Sequence, residues 1–327
     1  MDGVPLEFVE SVVRNSDICT SEELEQLSSA WGRVGEVQTK NNGQLFLSFD
    51  PPYMNEDEDE KWRLHYKMEG FDHIKSRTLS RDVIREMSKS ITSIQFNVDY
   101  YDTIGEDWHS FGPDDVNIVQ LLTNLDAPIK ELDIFSFKRS IGESCHLKLR
   151  SKYSNLFRSF TSVKLNCFED TRLMEGTICE PRVHSVEINR YGKRSRPTDF
   201  WVDFFFSEHC TRLTLKSDDV VLAAIKHWIK MDPRTLKYSK VLAGNDCHLD
   251  TLLDNIYFMG DMCMWETKDD TGSFRNRVRK NIFLLDQKAD IEQVHCVEHP
   301  VDKSSKIYVV YYYEWHTEAK DLAVLFA

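Results

Sequence analysis

The segment His295-Cys296-Val297-Glu298-His299 concentrates groups that can ligate a metal or move a proton. Two histidines four residues apart would share one face of a helix, a spacing that zinc sites use. The segment reads instead as strand or turn, where His295 and Glu298 face opposite ways. A zinc site needs about four ligands with supporting hydrogen bonds, and no second cluster lies nearby in the sequence. The expectation is surface residues on a strand, with no metal and no cofactor. Cys145-His146 is an adjacent pair, whereas a Cys–His nucleophile is assembled by the fold, so the pair neither supports nor excludes one. Cys263, set between Met262 and Met264, reads as a buried apolar thiol. There is no GxGxxG after a strand, no GxxxxGK[ST], no GxSxG and no HExxH. The chain is therefore not expected to be an enzyme.

Composition narrows the partners. The 327 residues carry a net charge of −13, with 41% hydrophobic and 12% aromatic residues. This is the composition of a folded protein. The charge argues against sequence-independent nucleic-acid binding and against docking on an anionic membrane. The apolar run at 200–206 is broken by Asp203 and far too short to cross a bilayer. The eight cysteines, at 19, 145, 167, 179, 210, 247, 263 and 296, include no CxxC pair. Free thiols in a reducing compartment, cytoplasmic or nuclear, are expected. The start, Met1-Asp2-Gly3-Val4-Pro5, shows no secretory pattern. The acidic run Glu56 to Glu60 reads as a solvated loop, with a site for a cation or basic partner as the alternative. Lys193-Arg194-Ser195-Arg196 reads as a solvated basic loop, with a partner contact or weak nuclear signal as the alternative.

The elements that must position any such groups follow from periodicity. Residues 1–40 read as helical. Pro5 suits a first turn, and Leu6, Val9, Val12 and Val13 follow a helical period beside Phe8. Thr20 or Ser21 can cap a second helix carrying Leu24, Leu27 and Trp31, closed by Gly32 and Gly35. Residues 41–90 form a connector: strands at 44–50 and 61–68 as a hairpin, then a helix over 73–90 broken by a polar cap at Ser80-Arg81-Asp82. Residues 91–280 repeat one phrase, apolar–any–apolar after a polar residue. It occurs at Ile94-Gln95-Phe96, Leu132-Asp133-Ile134, Val163-Lys164-Leu165, Val186-Glu187-Ile188 and Leu213-Thr214-Leu215. The intervals, roughly 23 to 38 residues, suit a stacked repeat. Helices are expected over 114–125, at 198–207, and from a Ser217 cap to Met231, where Pro233 stops the last. A sixth strand is expected at 236–242. Strands alternating with helices predict parallel strands. Residues 281–327 read as four antiparallel strands, at 281–286, 292–298, 306–315 and 321–327, with the third covered on both faces.

The expected fold is thus α/β: a leucine-rich-repeat-like solenoid with a short all-α N-terminus and an antiparallel β cap. The phrase's apolar residues would point into the core. Gln95, Asn97, Asp133, Phe135, Lys164, Asn166, Glu187, Asn189, Thr214 and Lys216 would line the exposed sheet face. A row of mixed charge suits selective recognition of a protein surface better than a polyanion.

The N-terminal pattern resembles the F-box. Val4-Pro5-Leu6 opens it, Phe8-Val9 and Val12-Val13 follow, then Leu24, Leu27-Ser28 and Trp31. The stretch 217–243 is similar to the nematode-type F-box-associated type 2 domain. The matching pieces are Ser217-Asp218-Asp219, His227-Trp228-Ile229, Pro233-Arg234 and Leu236-Lys237-Tyr238. The resemblance implies a non-catalytic substrate receptor of a cullin-type (SCF) ubiquitin ligase. It implies that the N-terminal helices bind the Skp adaptor, itself held by the cullin scaffold. The adaptor-facing residues implied are Val4, Pro5, Leu6, Phe8, Val9, Val12, Leu24, Leu27 and Trp31. The alternative is a stand-alone protein-binding module, of inhibitor or antidote type, with a vestigial F-box.

Overall fold

A computed structural model describes residues 4–14, 26, 29–50, 63–98, 105–112, 115–134, 149–165, 176–188, 197–245, 264–266, 289–314 and 319–327. The protein is mixed α/β and divides into two compact units, Met1–Ser162 and Val163–Ala327. The expected strand at 281–286 and the acidic and basic runs lie outside the described residues, as do Cys145, His146 and Cys263.

The N-terminal unit begins with α1 (Leu6–Arg14) and α2 (Ala30–Asn41), then β1 (Gly43–Asp50) and β2 (Arg63–Gly70). After α3 (Arg81–Met87) come β3 (Ile91–Val98), β4 (His109–Ser110), α4 (Val116–Thr123), β5 (Ile129–Ile134) and α5 (Ser154–Phe157). Its strands lie in the order β4-β2-β1-β3-β5. β1, β3 and β5 are parallel, while β2 pairs antiparallel with β1 and β4. Of the helix expected over 73–90, the part after its break at Ser80 forms, as the seven residues of α3, and Ser80 caps it through Val83 N–H; the part before the break is not α-helix. Hydrogen-bonded turns fill the approach, because β2 ends in two left-handed residues. Gly70 has φ +74° and Phe71 φ +52°. A large residue there is strained. Phe71 is held by full burial and by its N–H on Asn42 O at 3.1 Å. Its ring lies so close to Gly43 that a Cβ at that position would come within 2.3 Å. Gly43 and Gly70 pair at the open end of the hairpin, where both glycines are required.

The C-terminal unit opens with β6 (Ser162–Leu165), β7 (Ser185–Ile188), α6 (Thr198–Phe206), β8 (Arg212–Leu215) and α7 (Asp218–Lys230). It ends with β9 (Lys240–Asn245), β10 (Met264–Glu266), β11 (Ala289–Glu298), β12 (Lys306–Glu314) and β13 (Ala319–Phe326). The strand order is β6-β7-β8-β9-β13-β12-β11-β10. β7, β8 and β9 are parallel, and from β9 through β13, β12 and β11 to β10 every pair is antiparallel. The expected change from parallel to antiparallel pairing is therefore present. β12 is covered on both faces: Ile307, Val309 and Tyr311 are buried on one, Val310 and Tyr312 on the other. The sixth strand starts at Lys240, not Leu236. A 3₁₀ turn, Pro233–Thr235, precedes it, capped by the Asp232 side chain. Ser217 stands at the N-cap of α7, but its hydroxyl makes no capping bond. Asp218 and Asp219 in the first turn supply the favourable charge instead.

Alternation does what the repeated phrase requires. Ile94, Phe96, Leu132, Ile134, Val163, Leu165, Val186, Ile188, Leu213 and Leu215 are all buried. A threonine one residue ahead of the strand adds a staple. Thr161 exchanges bonds with Lys130: its N–H donates to Lys130 O, and Lys130 N–H donates to its Oγ1 at 2.9 Å. Thr211 donates N–H and Oγ1 to His184 O at 2.8 and 3.1 Å. Buried lysines cap the linkers between helix and strand. Lys130 Nζ donates to Leu125 O at 2.6 Å. Lys240 Nζ donates to Ser207 O at 2.7 Å and to Cys210 O, and its charge stands 5.8 Å from the Phe205 ring centre. Burial holds the Lys240 ammonium below the usual lysine range. It pushes the Cys210 thiol up to about 12.

The end of α7 depends on a histidine expected at the surface. His299 is 1% exposed and lies just past β11. Its Nδ1 accepts from Val301 and Asp302 N–H at 3.2 and 3.3 Å, so Nε2 carries the proton and donates to Trp228 O at 3.0 Å. That carbonyl belongs to the last turn, which has no intrahelical donor for it. The Trp228 indole packs edge-on to the imidazole at 4.7 Å. His299 is thus a buried connector rather than a surface residue. Among the described residues, no group of three His, Cys, Asp or Glu side chains could hold a metal.

His299→Leu is expected to lower unfolding stability by about 2 kcal/mol or more, since it strands one carbonyl and two N–H groups. Urea denaturation would measure it, and a change under 0.5 kcal/mol would contradict the assignment. Cys210 keeps its proton to about 12 when folded, against 9.0 ordinarily. Its contribution to stability is therefore present below pH 9 and is lost as pH rises from 9 toward 12. Urea midpoints should fall less steeply over that interval in Cys210→Val than in the parent chain.

Candidate functional site

The helical geometry of α1 places Leu6, Phe8, Val9 and Val12 within an arc of about 160°. One residue of this arc turns inward. Val9 is 1% exposed and packs with Val34 and Trp31 of α2. The rest stay in solvent: Leu6 is 53% exposed, Phe8 56% and Val12 37%. Val4 and Pro5 are exposed at the start of the helix, and Val37 is exposed on α2. Pro5 O accepts from Phe8 and Val9 N–H at 3.1 and 3.2 Å, closing the first turn. Glu7 and Glu10 occupy the opposite, polar side. Large exposed apolar side chains gathered on one short helix cost solubility, which makes this arc a candidate contact surface.

α2 differs from its expected form. Gly32 and Gly35 do not end a helix at Trp31; they lie inside one that begins at Ala30. Both are buried, so tertiary packing outweighs a propensity cost of roughly 1 kcal/mol per glycine. Trp31 is half-buried on Val9, and its indole N–H has no partner among the described residues. Of the nine adaptor-facing candidates, Val4, Pro5, Leu6, Phe8 and Val12 are on the surface. Val9 is in the core and Trp31 borders it. Leu24 and Leu27 lie outside the described residues.

The sheet-face candidates divide as well. Gln95, Lys164, Glu187, Thr214 and Lys216 are half-exposed. Lys164 and Glu187 pair at 3.2 Å. Phe135, Asn166 and Asn189 lie outside the described residues. Asn97 and Asp133, expected in solvent, are each 8% exposed. They sit at the carboxyl ends of β3 and β5, in register with one another and with Ser48 of β1. Ser48 pairs in turn with His65 of β2, and His65 with Ser110 of β4. One polar row thus crosses the five described strands of the N-terminal unit. Gln95 Nε2 donates to Asn97 Oδ1 at 3.1 Å. His65, Ser48 and Ser110 carry no sequence signal, because register alone brings them together.

No family model, curated protein or solved structure matches the chain. Among the described residues, no helix is long and apolar enough to cross a membrane.

Exposure separates the roles of neighbouring residues on α1. Phe8→Ser should leave unfolding stability within about 0.5 kcal/mol of the parent, while Val9→Ala should cost about 1–3 kcal/mol. Chemical denaturation of the two variants side by side reads this directly. An equal loss in both would place Phe8 in the core.

Proposed function

We propose that this protein is the substrate-recognition subunit of a cullin-type ubiquitin ligase, taking no part in the transfer chemistry itself. α1 and α2 form the F-box-like segment that docks on the Skp adaptor, and through it the cullin scaffold. The parallel strands form a leucine-rich-repeat-like surface, closed by the antiparallel strands, that holds a protein substrate. The mechanism is positioning: tethering raises the local concentration of substrate lysines near the conjugating enzyme.

The observation that carries the reading is the solvent-exposed arc of Leu6, Phe8 and Val12 beside the inward-facing Val9. An amphipathic helix whose apolar arc exceeds what its own fold covers is suited to a groove on a partner. The residues named by the resemblance are largely those left uncovered. The half-exposed Lys164, Glu187, Thr214 and Lys216 offer both charges to a substrate, consistent with recognition of a protein surface.

The test is copurification of tagged full-length protein from native lysate, beside Phe8→Ser/Val12→Ser. Adaptor and cullin should accompany the parent and be reduced at least tenfold with the variant, whose circular dichroism stays unchanged. Absence of both from the parent would remove the ligase reading. Other partners shared by the two proteins would then mark a stand-alone binding module.

A further inference from the structure

We propose that Ser110 is a nucleophilic serine activated by His65, forming a site for hydrolysis of carboxylic esters at the edge of the N-terminal unit's sheet. Ser110 Oγ lies 2.8 Å from His65 Nδ1, within the reach a nucleophile and its base require. The two differ sharply in environment. Ser110 is exposed, so a substrate can approach it, while His65 is 7% exposed and held inside the sheet.

The surroundings fix the pair. His65 and Ser110 are register partners on β2 and β4. Phe111 N–H donates to Leu64 O at 3.0 Å. The Tyr66 ring packs on His109 at 5.2 Å and on Phe111 at 4.8 Å. The serine is therefore set on a pinned strand rather than a free loop, as a reacting group needs. Beyond His65 the polar row continues through Ser48, Asn97 and Asp133, all more than nine-tenths buried. Ser48 Oγ has no hydrogen-bond partner among the described residues, although it is only 2% exposed. A buried polar row with an unpaired hydroxyl is costly unless it serves a site. It lies at the carboxyl ends of parallel strands, where open α/β sheets hold ligands. Trp108, two residues before Ser110, is half-exposed and offers an apolar ring to an acyl or leaving group.

The chemistry closes without a cofactor. Ser110 Oγ bonds to the acyl carbon as its proton passes to His65 Nδ1. The imidazolium gives that proton to the departing alkoxide, and the alcohol leaves. Water then adds to the acyl-serine, its proton going to the same nitrogen. Collapse breaks the Oγ–acyl bond, returns the proton to Ser110 and releases the acid. General-base assistance of this kind contributes about 100-fold or more. The activity is independent of adaptor docking, which uses other residues.

The experiment uses a fluorophosphonate probe on the full-length protein, with adducts located by peptide mass spectrometry. Expected are an adduct at Ser110 in preference to the exposed Ser304, its loss in Ser110→Ala, and labelling of Ser110 slowed about 100-fold in His65→Gln. Hydrolysis of p-nitrophenyl acetate should follow the same order. An unchanged labelling rate in His65→Gln would overturn the proposal. If that variant fails to fold, the parent decides alone. Ser110 labelled no faster than Ser304, or no faster in native buffer than in urea, rules the site out.

Discussion

The parallel ladder sets the terms for the rest of the molecule. A parallel strand must share its backbone bonds with neighbours on both sides, and its side chains alternate strictly between faces. β3, between β1 and β5 in one unit, and β8, between β7 and β9 in the other, meet both demands. Every inward position of the repeated phrase is buried. Four-residue strands such as β7 and β8 have little ladder of their own. Side chains complete it: Thr211 staples the start of β8 to the residue before β7, Thr161 bonds to Lys130 within the N-terminal unit, and Lys130 and Lys240 satisfy the carbonyls where the chain turns in. A buried ammonium is expensive unless its donors are used. Both lysines use them on backbone that would otherwise be stranded.

The two units differ in how they treat apolar surface. The change of direction at β9 and β13 lets long strands with alternating apolar residues on both faces close the C-terminal unit. His299 secures that arrangement by joining α7 to the loop after β11. In the N-terminal unit, α1 packs Val9 on α2 and leaves Leu6, Phe8 and Val12 exposed. The C-terminal unit covers the apolar faces of its long strands internally, whereas three apolar side chains of α1 remain exposed. The proposed adaptor docking follows from that asymmetry.

The five-strand polar row is a second consequence of the ladder. With a period of two, a register that sends Leu47, Phe96 and Leu132 into the core sends Ser48, Asn97 and Asp133 to the other face together. The antiparallel hairpin then adds His65, and the short edge strand adds Ser110. Residues 62 positions apart, Ser48 and Ser110, come into one line with no sequence pattern to announce them.

The sequence by itself determined the strand phrase, its inward residues, the order of most elements and the change to antiparallel strands near the end. These are local or periodic properties, so each strand's own residues encode them. It also marked α1 as amphipathic. Tertiary structure decided which of its apolar residues would be covered: Val9 and Val12 look alike in sequence, and packing on α2 covers Val9. Packing likewise carried α2 through Gly32 and Gly35, and cut the helix expected over 73–90 to α3 behind the strained Gly70-Phe71 turn. It buried Asn97, Asp133 and His299, because burial depends on what covers a residue and not on the residue's own polarity. The Ser110–His65 pair is wholly tertiary in origin. Forty-five positions separate its members, and strand register alone sets their 2.8 Å contact.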